Sequence, residues 1–171
     1  HNIAIGYSAM TGGTGDLTKS IAIGGNAMSS TAGNGSAGQI AIGYGALSAL
    51  TSAGGNTAIG YQAGLANSLG ASNTIVGFQA MDESFGNSYD NVFIGLGAGG
   101  GTWVNNASVR NTCVGTSAMA GAMDAANDNT AIGHQSLAAL TDANDNACLG
   151  GNSGDTITTG SANTILGVGA D

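Results

Sequence analysis

The 171-residue chain has no proline, two cysteines, two basic residues and eight aromatic side chains. Each scarcity excludes something. Without proline or a three-residue glycine period, the 32 glycines do not make a collagen helix. Two basic residues against ten acidic ones give a net charge of −8, which leaves no electrostatic footprint for nucleic acid or an anionic membrane. No run approaches the roughly 18–20 apolar residues that span a bilayer, and His1-Asn2-Ile3-Ala4 lacks the charged and apolar regions of an export signal. With few aromatics and mostly small apolar residues, a thick two-layer core is not expected. The 42% apolar content, with isoleucine placed regularly, nevertheless argues for order.

What is present is a repeat. Ten glycines, Gly6, Gly24, Gly43, Gly60, Gly77, Gly95, Gly115, Gly133, Gly150 and Gly167, anchor copies spaced 17 to 20 residues apart. Four residues before the anchor stands Asn2, Asn56, Asn73, Asn91, Asn111, Asn129, Asn146 or Asn163, with Ser20 and Gln39 in the other two copies. The residue before each anchor is Ile, Val or Leu, and the third residue after it is Ala, or Ser in two copies. The pattern covers residues 1–171 as a single repeat domain that begins and ends inside a repeat, and so reads as an excerpt of a longer fibrous protein.

The block Asn-x-Ala-Ile-Gly alternates with the period of a strand and ends at glycine. A weaker second strand is expected after the anchor, ending near Leu or Met, and the length variation falls in the Gly, Ser, Thr, Asn and Asp residues that follow. A short strand recurring at this interval buries its face only by stacking on its neighbours. The fold class is therefore all-β, a parallel β-solenoid of ten coils of 17–20 residues, roughly 43 Å long at about 4.8 Å per step. Asn stacks on Asn, Ile on Ile and Ala on Ala, with the asparagines bonded along the axis. Cys113 and Cys148 share a position in copies that are not adjacent, about 10 Å apart, which is too far for a disulfide and fits small buried thiols.

Other rows carry the functional expectations. Lys19, Asp90, Arg110, Asp128 and Asp145 precede the Asn position and mark a corner facing water. Met10, Met28, Met81 and Met119, with Leu47 and Leu137, form a buried seam four residues after the anchor. The Ile row is assigned to the core face. So thin a coil encloses little volume, and the surplus apolar rows imply self-association, most simply as a homotrimer about a threefold axis. Tyr7, Tyr44, Tyr61 and Phe78, just after the anchor, form a ridge that either packs between subunits or faces a glycan. Asp124, Asp128, Asp142 and Asp145 lie in adjacent connections, where stacking groups oxygen ligands as Ca²⁺ requires. Their spacing matches no EF-hand loop, and solvated turn carboxylates are the simpler reading, so no cofactor is expected. His134 has no catalytic partner within its repeat, so no enzyme is expected. An acyltransferase hexapeptide helix fits poorly, since one hexad matches per copy. An ice-binding solenoid is suggested by Thr57, Thr74, Thr112, Thr130 and Thr164, but Ile3, Ile21, Ile40, Val92 and Ala147 interrupt that row, and a face shared with core isoleucines leaves it covered.

The blocks Asn2-Ile3-Ala4-Ile5-Gly6, Asn56-Thr57-Ala58-Ile59-Gly60-Tyr61-Gln62-Ala63 and Asn129-Thr130-Ala131-Ile132-Gly133 resemble the head repeats of YadA-like trimeric autotransporter adhesins and the repeats of trimeric bacteriophage tail fibres. The resemblance covers the whole chain. It implies a left-handed β-roll in side-by-side trimers, an extracellular place on a virion tail fibre or bacterial cell surface, and a structural or adhesive shaft for host or surface attachment. A glycan or protein receptor is the implied partner, with no nucleic acid and no membrane insertion. The coils exceed the roughly 14-residue repeats usual in the bacterial heads, which favours the phage branch over the autotransporter alternative.

Overall fold

The computed structural model describes residues 1–11, 17–30, 36–84, 86–103 and 107–171. Each copy of the repeat contributes one three-residue strand: β1 Ile3–Ile5, β2 Ile21–Ile23, β3 Ile40–Ile42, β4 Thr57–Ile59, β5 Thr74–Val76, β6 Val92–Ile94, β7 Thr112–Val114, β8 Thr130–Ile132, β9 Ala147–Leu149 and β10 Thr164–Leu166. All ten lie in one parallel sheet in chain order, so the chain is an all-β parallel solenoid. Register is kept without a slip, from Ala4 on Ala22 to Cys148 on Ile165. Among the described residues no helix is long and apolar enough to cross a membrane.

The anchor glycine is required twice over. Gly77 has φ +145°, a conformation open essentially to glycine alone, and a Cβ there would lie 2.2 Å from the Gly95 carbonyl oxygen of the next coil. Beyond the anchor, the structure departs from the expected second strand. Among the described residues only the ten strands form, because the second and fourth residues after each anchor are left-handed, as in Gln62 at +55° and Met81 at +48°. Coils remain bonded there by a different route. The Asn26 amide donates back to the Tyr7 carbonyl of the previous coil, and the Met28 amide donates forward to Ala46 of the next.

The strand faces are also the reverse of the expectation. The middle residue points into the coil, as Ala22, Ala41, Ala58, Ile75, Phe93, Cys113, Ala131 and Cys148 are all buried, while the flanking Ile, Val, Leu and Thr are half-buried or exposed. The interior is narrow, and it is filled from the turn side by Met28, Leu47, Met81, Met119 and Leu137, which meet the small strand residues. No room remains for a row of isoleucines. In the copy with Phe93 as its strand residue, the turn residue is glycine. At Gly99, a Cβ would come within 2.5 Å of the Phe93 ring, and Phe93 in turn packs edge-on against buried Trp103 at 5.4 Å. The Trp103 indole donates to the Gly99 carbonyl at 2.9 Å.

Candidate functional site

Among the described residues no pocket forms. Three features of the solenoid carry recurring chemistry.

The first is internal. The side-chain oxygen of Asn91 accepts both the Asn111 backbone amide at 2.9 Å and the Asn111 side-chain amide at 3.1 Å. The same Asn111 amide group also donates to the Ala126 carbonyl at 2.8 Å, which closes its own coil. This arrangement runs from Asn56 to Asn163 with the asparagines of the inner coils buried. The two exceptions reproduce it: Gln39 donates to the Ala53 carbonyl and accepts from the Asn56 amide, and Ser20 accepts from the Gln39 amide. In the inner coils, as at Asn73, Asn91, Asn111, Asn129 and Asn146, the side-chain amide and its oxygen are both engaged. A second ladder was not visible as such in the sequence. The Asn127 amide donates to the Asn144 side chain at 2.8 Å, and the Asn144 amide donates to the Ser161 hydroxyl at 3.0 Å. Its signal is the recurrence of Asn127, Asn144 and Ser161 two residues before the main ladder.

The second is the outward face of the sheet, made by the residues three before and one before each anchor and continued by the residue after it. Of the fifteen large apolar side chains exposed among the described residues, thirteen stand in these three columns, which concentrates exposed hydrophobicity on one strip. None of the 30 positions in the strip is Asp, Glu, Lys or Arg. The strip includes Thr57, Thr74, Thr112 and Thr130, each half-buried and outward-facing; the expectation that a shared face would cover them is therefore corrected.

Along one edge of the strip, Tyr44, Tyr61 and Phe78 stack, with ring centroids 5.7 and 5.0 Å apart and planes within 14° and 13°. Tyr44 lies over Gly25, where a Cβ would come within 3.2 Å of its ring. Within the stack the rings thus cover each other's facing sides. Tyr7 stands apart from the stack, 84% exposed, and His134 is exposed further along the column.

The third is the charged corner. Asp128 takes a two-pronged ion pair from Arg110 of the preceding coil, at 2.6 and 2.7 Å, and this holds its carboxyl below the usual range. Asp142 and Asp145 are exposed, and the Asp124 amide is bonded to the Thr141 carbonyl. Among the described residues no group of three or more His, Cys, Asp or Glu is placed to hold a metal ion. Cys113 and Cys148 are free and buried, separated by β8, and burial pushes both thiols up.

In comparison with known proteins, the chain matches no family model, no curated protein and no solved structure. The class is therefore defined by the geometry alone: a ladder-bonded parallel β-solenoid with one uncharged apolar strip.

Proposed function

We propose that the chain is a shaft segment of a homotrimeric surface fibre, structural or adhesive, that serves attachment to a host cell or surface. A bacteriophage tail fibre is the favoured owner, and the head of a bacterial trimeric autotransporter adhesin is the alternative; the resemblance of the repeats supports both, and the coil length favours the first. The observation that carries the reading is the unbroken axial bonding. Strand ladder, asparagine ladder and turn amides all run along one direction through ten strands, which is how a stiff spacer is made and is unlike a scaffold around a pocket. The thiols and the Arg110–Asp128 ion pair are taken up in structure, and the reading assigns no catalysis and no cofactor.

The outward-facing threonines favour one rival. An uncharged sheet face with outward Thr suits an ice-binding face, although Ile, Val and Ala replace Thr in half of the copies. Light scattering separates the two readings: the fibre predicts about three times the 16.3 kDa chain mass and no thermal hysteresis. A monomer with thermal hysteresis overturns it.

A further inference from the structure

We infer that the notch at Gly25, between Tyr7 and Tyr44, binds one uncharged sugar ring of a surface glycan. The inference rests on the attachment role proposed above and names what the fibre contacts. Four observations carry it.

The first is a missing ring. The residues just after the first five anchors are Tyr7, Gly25, Tyr44, Tyr61 and Phe78, so Gly25 alone interrupts an aromatic column. Tyr61 covers one side of the Tyr44 ring, and the other side looks toward Gly25, where there is no side chain to cover it. The second is that the main chain does not close the gap. The Asn26 amide donates to the Tyr7 carbonyl at 2.8 Å and the Gly45 amide to the Gly25 carbonyl at 2.9 Å, so the coils keep their spacing on both sides of the notch. Tyr7 and Tyr44 are therefore two coil steps apart, roughly 10 Å, and a ring held level with Gly25 lies about 5 Å from each, a stacking distance.

The third is the polar rim. The Asn26 side-chain amide donates to the Tyr44 hydroxyl at 3.2 Å, which brings an amide and a phenol together at the edge of the notch. They suit neighbouring hydroxyl groups of a sugar, while the negative face of the Tyr44 ring attracts the polarised C–H bonds on the flat side of that sugar. A purely apolar guest would leave both polar groups unused. The fourth is charge. Residues 20–81 contain no Asp, Glu, Lys or Arg, so this segment offers no partner to an ionic ligand and a neutral one is selected. The other glycine of the column, Gly151, stands between His134 and Val168 and has no such pair of rings.

The test is saturation-transfer NMR on the intact chain. The probes are the methyl glycosides of glucose, galactose and mannose, with N-acetylneuraminic acid as an acidic comparison and N-acetyltryptophanamide as an aromatic one. The expected result is transfer to the ring C–H protons of at least one methyl glycoside. Gly25 has an ordinary backbone conformation, unlike the anchor before it, so Gly25→Tyr folds as wild type by circular dichroism and fills the notch with the side chain found at Tyr44 and Tyr61. That variant and Tyr44→Ala should lose the transfer, and His134→Ala should keep it. No transfer to any glycoside, transfer that survives Gly25→Tyr, or transfer only to the acidic or the aromatic probe overturns the inference. Light scattering on the same samples keeps the two readings apart. A trimeric wild type that binds no glycoside overturns the notch and leaves the fibre standing, whereas a monomeric wild type that binds through Gly25 overturns the fibre and leaves the notch.

Discussion

Asn111 shows how much one side chain does in a stack. Replacing it with Ala leaves the backbone amide of Asn129 without its acceptor and the Ala126 carbonyl without its donor, both buried. At about 1–3 kcal/mol for each unsatisfied buried group, the expected loss is roughly 3–5 kcal/mol, read as a lower denaturant midpoint. Asn111→Gln should lose much less, because Gln39 already makes the equivalent bonds. The anchor glycines divide in the same way from the others. Gly77→Ala forces neighbouring coils apart, whereas Gly38→Ala has φ +71° and nothing within 4 Å of the new Cβ, so it costs only about 1–2 kcal/mol of backbone strain. Native Cys113, fully buried with its thiol bonded to the Ala118 carbonyl, should not react with a thiol reagent until the chain is unfolded. Asp128 adds a pH signature. Its folded pKa is lowered, so the stability from its ion pair is present above the ordinary Asp range and is lost as pH falls through the lowered value. The melting difference between wild type and Asp128→Asn should accordingly be small, present at neutral pH and absent in strong acid.

At the scale of the coil, packing is a matter of paired sizes. Phe93→Ala should cost about 3–5 kcal/mol, as a large buried ring is removed beside Trp103. Gly99→Met alone collides with Phe93, but the double variant recreates the Ala22 and Met28 combination found in β2 and its turn. A double-mutant cycle by chemical denaturation should give a favourable coupling above about 1 kcal/mol; additivity would refute the size pairing. The same pairing explains what the sequence made legible. Strand positions and register followed from the Asn and Gly columns, because each has one structural solution. The inward face did not, since alternation establishes that neighbours point oppositely without saying which set is inside. Isoleucine is more apolar than alanine, so hydrophobicity favoured the wrong set; the width of the coil decided for alanine. The expected second strand had a warning in it. Ala27 and Met28 are adjacent and both buried, which a period-two strand does not allow and left-handed turn residues do.

For the whole molecule, the reversed faces alter what the surface offers. The row assigned to the core lies on the outward strip, and the aromatic ridge is one edge of that strip. Of the acidic connections suggestive of Ca²⁺ in sequence, Asp128 is engaged with Arg110, and Asp142 and Asp145 are exposed at outward turns. Adding a chelator should therefore leave the melting temperature unchanged; a drop would reveal metal at the connections. Side-by-side trimers, as proposed for the fibre, would make a rod thicker without making it longer. Small-angle scattering on the intact chain reads both quantities at once. The account predicts a particle of about three times 16.3 kDa whose length stays near the roughly 43 Å of one solenoid plus its side chains. A particle of 16.3 kDa, or a heavier one lengthened in proportion to its mass, would contradict it.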